Sequence, residues 1–296
     1  MVKDDNSISR GQLYKKILGV LEESGIGRFD ALCIFESAFG EVFPKIMMDR
    51  TLEVPYDTLE KILTMVNKRS QGYPLQYILG TWEFMGFEFM VGEGVLIPRQ
   101  DTETLVVQVR DICLDNDIRS PKIIDLCSGS GCIAVSLKLM MPDAHVSAVE
   151  FSEKALEFLK KNSSLNGGAD IHIVQGDVLD ENTAVMFSDA DIIVCNPPYL
   201  TEDDMRHLQR EVSFEPESAL FGGSDGLDFY RKITKIWRNS LKDRGFIAYE
   251  FGMGQHEAVS RILEENRFTD IKFRRDAGGI IRTAAARKNT EVLING

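Results

Sequence analysis

The residues with the most chemistry in them are Asn196-Pro197-Pro198-Tyr199, which follow the apolar run Ile192-Ile193-Val194-Cys195. Two consecutive prolines have φ fixed at about −65° and no N–H to donate, so they end a strand and do not extend it. They build a rigid ledge that carries one amide side chain, one bare carbonyl and one aromatic ring. Such a ledge suits a planar group bearing –NH₂: the Asn196 oxygen and the Pro197 carbonyl accept its two hydrogens, and the Tyr199 ring lies on its face. The plain alternative is a strand-terminating turn, since Pro-Pro is common in ordinary loops.

A second group lies upstream, in Asp125-Leu126-Cys127-Ser128-Gly129-Ser130-Gly131-Cys132-Ile133-Ala134. Glycines between a strand and a helix let the chain turn tightly and let a ligand approach bare backbone. This is where open α/β sheets bind ligands. Glu150 comes nineteen residues after Gly131, at the end of the next strand, where a carboxylate can accept both ribose hydroxyls of an adenosine. Gly129-x-Gly131-x-x-Ala134 also fits the dinucleotide fingerprint, a weak signal when it stands alone. Asp125 argues against a pyrophosphate, which its charge would repel, and is compatible with S-adenosylmethionine, which has no phosphate. The amide ledge, useless for hydride transfer, argues the same way. Asp177, after the third strand of this series, can accept from an adenine amine, or it can simply be a turn residue capping a helix.

These residues need a framework, and the chain's periodicity predicts one. Residues 1–73 read as helical: Leu13, Ile17, Leu18 and Leu21 form one apolar face, and Leu32, Phe35 and Phe39 a second. Asp57-x-x-Glu60 reads as a capping box for a helix carrying Leu59, Ile62, Leu63 and Val66, with Lys68 and Arg69 in its last turn and Gly72 after it. Residues 74–97 switch to aromatic and β-branched residues broken by Gly80, Gly86 and Gly92, which predicts a β-hairpin linking two domains. Residues 98–296 alternate strands and helices. The alternation makes the fold class α/β with a mainly parallel sheet, preceded by a small all-helical domain and the hairpin. Read together with the methyl-donor reading of the glycine loop, the expectation is a Rossmann-like domain of the class I S-adenosylmethionine-dependent methyltransferase type.

Composition narrows the chemistry. With 34 Lys and Arg against 46 Asp and Glu, the net charge is −12. Tight binding to duplex nucleic acid rests on neutralising phosphates with Lys and Arg, so direct nucleic-acid binding is not expected and a protein or small-molecule substrate is. No apolar stretch reaches the ~18 residues of a membrane span, and the N-terminus lacks the apolar core of a signal peptide. The five cysteines contain no C-x-x-C pair and the four histidines have no ligand spacing, so neither disulfides nor a metal is expected. Cys127 and Cys195 have no base beside them in sequence and read as small buried residues. We expect a cytoplasmic monomer.

Taken in order, the motifs are Tyr77-Ile78-x-Gly80-x-x-Glu83-Phe84-x-Gly86, Val95-Leu96-Ile97-Pro98-Arg99, Asp125 to Ala134, Asn196 to Tyr199, Glu215-Pro216 with Ala219-Leu220, Gly223-x-Asp225-Gly226-Leu227 and Glu250-x-Gly252-x-x-Gln255. Over nearly its whole length the chain resembles the HemK/PrmC family, the protein-(glutamine-N5) methyltransferases of peptide chain release factors. Asn-Pro-Pro-Tyr also occurs in adenine-N6 and guanine-N2 nucleic-acid methyltransferases, but the hairpin and Ile-Pro-Arg segment is more particular to this family. The resemblance implies that the helical domain recognises release factors and that S-adenosylmethionine is the methyl donor. It also implies that the acceptor is the glutamine of their Gly-Gly-Gln motif. By the same resemblance Cys127, Ser128, Gly129, Ser130 and Gly131 cradle the methionine part of the cofactor and Glu150 holds the ribose. Val178 lies against the adenine, with Asp177 beside it. Asn196 sits next to the methyl group, and Asn196, Pro197, Pro198 and Tyr199 bind the glutamine, with Asn196, Pro197 and Tyr199 catalytic. Four departures stand out: Gln100-Asp101 in place of Pro-Glu, Cys127 for a glycine, Glu150 for an aspartate, and Val178 for an aromatic.

Overall fold

The computed structural model describes residues 7–167 and 170–289. The chain divides into two compact units, one formed by residues up to Thr81 together with Gln209–Phe214, the other by Trp82–Leu208 and Glu215 onward.

In the first unit, α1 (Arg10–Glu23), α2 (Arg28–Phe39) and α4 (Tyr56–Ser70) pack together, with the short α3 (Phe43–Ile46) and α5 (Leu75–Leu79) beside them. Leu13, Ile17 and Leu21 of α1 are buried as their spacing requires, but α2 buries Ala31, Ile34 and Phe35, leaving Leu32 and Phe39 at the margin. The Asp57-x-x-Glu60 capping box does not form. Pro55 starts the helix at Tyr56, and Glu60 instead accepts from the Tyr56 hydroxyl at 2.7 Å. Among the described residues, capping boxes form at Ser9 with Gln12 and at Thr201 with Asp204. Arg69 is not a solvated end-of-helix cation. It is 5% exposed, and its guanidinium donates to Asp30 and to Glu211, each at 2.5 Å. Those bonds tie the 209–214 segment, more than a hundred residues away in sequence, into the helical unit, and the Phe214 ring packs edge-on to Tyr73.

Tyr77-Ile78-Leu79, expected in a strand, belongs to α5. Pro74 precedes the helix and Gly80 closes it at φ 81°, the proline-first, glycine-last asymmetry of a helix. The hairpin is correspondingly shorter than residues 74–97: β1 (Thr81–Phe84) and β2 (Phe87–Met90) turn at Met85-Gly86, and the chain beyond Met90 is irregular.

The second unit is built on a seven-stranded sheet. After α6 (Glu103–Asp115) come β3 (Lys122–Leu126), α7 (Cys132–Met140), β4 (His145–Glu150), α8 (Glu153–Leu165), β5 (Ile171–Gln175), α9 (Glu181–Ala184), β6 (Ala190–Cys195) and α10 (Glu202–Arg206). Then follow α11 (Asp228–Trp237), β7 (Leu241–Glu250), α12 (His256–Glu265), β8 (Phe268–Arg275) and β9 (Ile281–Lys288). The strand order is β5-β4-β3-β6-β7-β9-β8. The first five of these strands are parallel, and β9 and β8 form the antiparallel finish expected from Gly278-Gly279. Both faces are covered, which is why the strands read as unbroken apolar runs. Ile123, Ile192 and Val194 face α6 and α7, whereas Ile124, Ile193 and Cys195 face Tyr230, Ile233 and Trp237 of α11 and the apolar side of α12.

The order reverses between β3 and β6, because the connection from β3 runs to β4 on one side and β6 returns on the other. Crevices open at the carboxyl ends of strands at such a point. The register puts Leu126 opposite Cys195, so the glycine loop and the Asn-Pro-Pro-Tyr ledge emerge side by side.

Candidate active site

A cavity of about 570 Å³ opens there, within the range of a small-molecule site. It brings together Cys127, Ser128, Gly129, Ser130, Glu150, Asp177, Val178, Asn196 and Pro198. Gly131, Pro197 and Tyr199 lie next to it but do not line it. Gly131 serves the turn: at φ 81° it precedes α7, and a Cβ there would meet Leu159 at 3.0 Å.

Glu150 closes the end of β4 and is 8% exposed. Its Oε2 accepts from Gly129 N at 2.8 Å and its Oε1 from Ser152 N at 2.7 Å. Burial raises its pKa, and these backbone hydrogen bonds oppose the rise. Each oxygen keeps one lone pair for a further donor, so a vicinal diol can be accommodated. The loop is anchored by Ser128, whose N–H donates to Val149 O at 3.1 Å and whose hydroxyl donates to Asp125 O at 2.8 Å. Nothing stands within 4 Å of the position a Cβ would take on Gly129, so this backbone is open to a ligand. Cys127, at φ 57°, holds a left-handed conformation that glycine adopts at lower cost.

Asp125 is fully buried beneath the cavity, not in its wall. Its Oδ2 accepts from Ala134 N at 3.2 Å, within the first turn of α7, and its Oδ1 has no partner among the described residues. Burial pushes its carboxyl up to about 8. Its contribution to ligand choice is therefore less direct than charge repulsion at the loop surface. Asp177 is a turn residue, its Oδ1 accepting from Leu179 N at 2.8 Å, but the cap of α9 is Asp180; Asp177 also lines the cavity. Val178 beside it is held by its carbonyl, which accepts from Trp237 Nε1 at 2.8 Å.

The ledge is braced from behind. Gln255 Nε2 donates to Tyr199 O at 3.0 Å, while its Oε1 accepts from Gly252 N at 2.8 Å. A Cβ on Gly222 would lie 2.6 Å from Pro198 O, and one on Gly226 would lie 2.2 Å from Tyr199 O. The sequence motifs around Gly223 and Gln255 are thus supports for the ledge. Burial pushes the Tyr199 hydroxyl up to about 12, so it stays protonated. Burial likewise pushes the thiols of Cys113 and Cys132 up to about 12 and that of Cys195 well above its ordinary value, which leaves them without thiolate character.

Sequence reasoning missed the opposite wall. Gly94 to Arg99 and Thr102 line the cavity, as do Phe151, Pro216 and Ala219. Glu215, with its side chain 1% exposed, fixes that wall: its Oε2 accepts from Ile97 N at 3.0 Å and its Oε1 pairs with the Arg99 guanidinium. The signal was present in Ile97-Pro98-Arg99 and Glu215-Pro216, which mark the resemblance, but nothing local shows that the two segments meet.

Comparison with known proteins decides the family. The PrmC N-terminal domain model matches residues 12–80 and the methyltransferase small domain model matches residues 104–214. A release factor glutamine methyltransferase of Geobacter sulfurreducens is 36% identical over 91% of this chain and 93% of its own length. The chain belongs to the release factor glutamine methyltransferase family. Another member, from Fusobacterium nucleatum, is 34% identical over 93% of this chain and 78% of its own length, and one from Lactococcus lactis is 41% identical over 71% and 75%. A methyltransferase structure from Pyrococcus furiosus, 16% identical, superimposes with a TM-score of 0.51 over 78% of this chain and 97% of its own, which shows the shared fold. As a member of this family the chain is a methyltransferase. Among the described residues no helix is long and apolar enough to cross a membrane, and no group of three or more His, Cys, Asp or Glu side chains could hold a metal ion.

Proposed function

We propose that this enzyme moves the methyl group of S-adenosylmethionine onto the side-chain nitrogen of the glutamine in the Gly-Gly-Gln motif of peptide chain release factors. The observation that supports the proposal is that Glu150, the open Gly129 backbone and Asn196 line one cavity, so a carboxylate suited to a ribose and an amide suited to the acceptor nitrogen share a space. When bound there, S-adenosylmethionine supplies an electrophilic methyl on a sulfonium. Cys127 to Ser130 would take its methionine part, Glu150 the ribose hydroxyls, and Asp177 and Val178 the adenine. Gly131 would shape the loop from behind.

An amide nitrogen is a poor nucleophile because its lone pair is delocalised into the carbonyl. Asn196 Oδ1 and the Pro197 carbonyl would accept from the substrate –NH₂, raise electron density on nitrogen and aim it at the methyl carbon. Orientation of this kind supplies several kcal/mol, and dipoles held in place stabilise charge as it develops. Pro198, which lines the cavity, would pack on the amide, and Tyr199 would keep the ledge rigid from behind. The helical unit, which matches the PrmC N-terminal domain model, would recognise the release factor. A net charge of −12 supports a protein acceptor over nucleic acid. We place the enzyme in the cytoplasm, acting as a monomer. Incubation with labelled S-adenosylmethionine should put label into a purified release factor and none into tRNA or DNA; label in nucleic acid alone would reverse the proposal.

A further inference from the structure

Behind Asn196 lies a buried polar group for which the proposed reaction has so far found no use. Glu250 ends β7, whose Tyr249 is paired with Cys195 of β6, so Glu250 stands level with Asn196 on the neighbouring strand. It is 2% exposed, and its Oε2 has no hydrogen-bond partner among the described residues. Its backbone is fixed, since Glu250 O accepts from the Tyr230 hydroxyl at 2.8 Å. Thr102, also 2% exposed, is the third member: its Oγ1 accepts from Asn196 Nδ2 at 3.3 Å. Burial pulls its carboxyl up to about 7, and Thr102 and Asn196 act on it in the opposite direction.

An orphaned carboxylate oxygen in the interior costs free energy unless a donor meets it. The donors at hand are the Thr102 hydroxyl and the Asn196 amide nitrogen. A hydroxyl that accepts from Asn196 Nδ2 has its own proton free for the carboxylate. Once Nδ2 is engaged on the Thr102–Glu250 side, the amide oxygen is the atom left for the cavity.

We propose that Glu250 and Thr102 are positioning residues that hold the Asn196 amide nitrogen and thereby present its oxygen, the acceptor end, to the substrate –NH₂. This rests on the proposed role of Asn196. Glu250 does not line the cavity, and Thr102 meets it with its hydroxyl engaged by Asn196, so both act through Asn196 and bear on turnover far more than on cofactor affinity. A valine at position 102 keeps the shape and removes the hydroxyl, freeing the amide to flip and offer a donor where an acceptor is needed.

The test compares Thr102→Val, Thr102→Ser and Glu250→Gln with wild type for kcat on a purified release factor and for Kd of S-adenosylmethionine. Wild-type turnover is measured first, so failure of the methyltransfer proposal itself shows there. Given wild-type activity, Thr102→Val should lower kcat at least tenfold with Kd within twofold. Thr102→Ser should recover to within threefold of wild type, and Glu250→Gln should lower kcat about tenfold. Wild-type kcat in Thr102→Val or in Glu250→Gln, or equal losses in Thr102→Val and Thr102→Ser, would overturn the inference.

Discussion

At the scale of single residues, Cys127 shows how a departure from a family pattern becomes a physical quantity. A non-glycine residue at φ 57° sits in the left-handed region, at a cost of about 1 kcal/mol or more. Cys127→Gly should therefore raise stability by about 1 kcal/mol in denaturant titration, with an unchanged or slightly tighter cofactor Kd. Glu150 gives a prediction of the opposite sign. Its two oxygens hold Gly129 N and Ser152 N, so Glu150→Ala removes both the proposed ribose acceptor and a brace of the loop. Binding of S-adenosylmethionine by calorimetry should weaken by about 1–3 kcal/mol. Both positions were legible in the sequence, because a glycine-bearing loop between a strand and a helix, and a carboxylate at the next strand's end, are local signals. Glu250 and Thr102 were not. Their meaning depends on β7 lying beside β6 and on a turn of chain almost a hundred residues upstream, and neither neighbour is written near Asn196.

At the scale of elements, the alternation of strands and helices from residue 104 onward was readable because buried parallel strands form short apolar runs. The existence of the first helices was readable from period, though the buried face of α2 was not. Errors fell where two periods compete over few residues. Tyr77-Ile78-Leu79 has strand-like side chains, yet Pro74 and Gly80 bracket one helical turn. The segment from 91 to 99, most of it read as part of the hairpin, is irregular, makes a wall of the cavity and is pinned by Glu215. The turn at residues 222–226 was legible as a motif of the resemblance, but not that its glycines press against the ledge. Gly226→Ala would put a Cβ 2.2 Å from Tyr199 O at a φ of 72°, and backbone cannot yield as a flexible side chain does. Methylation should fall by at least tenfold, and Tm should drop as well, since a strained residue of this kind costs about 1–3 kcal/mol.

At the scale of the whole molecule, buried carboxyls set how stability depends on pH. Asp125 and Glu250 titrate at about 8 and about 7 in the folded protein, well above their values in an unfolded chain. Between about pH 4 and 8 the folded state therefore binds more protons than the unfolded state, and stability falls as pH rises through that window. Asp111, Asp225 and Asp276 have lowered pKa values from their arginine and hydrogen-bond partners, and their contribution is lost as pH falls below the ordinary carboxylate range. Thermal unfolding of the ligand-free protein should thus show a Tm maximum near pH 4, with a decline from pH 5 to a clearly lower value by pH 8.5. A Tm that climbs steadily from pH 5 to 8.5 would contradict the burial of these two carboxyls. The division of the chain was only partly legible. The helical unit extends to Thr81 and takes in Gln209–Phe214, because Arg69 pairs with Glu211, a contact that no local pattern announces.

The central claim is that Asn196 activates a glutamine side chain for methyl transfer in the same cavity that holds the methyl donor. The most direct test is peptide mass spectrometry of a release factor after incubation with S-adenosylmethionine and either the wild-type enzyme or Asn196→Ala, with cofactor Kd measured for both. We predict one methyl group on the glutamine side-chain nitrogen of Gly-Gly-Gln with wild type, at least a hundredfold less with Asn196→Ala, and cofactor affinity within a few-fold. A methyl group on another residue, or undiminished methylation by Asn196→Ala, would contradict it.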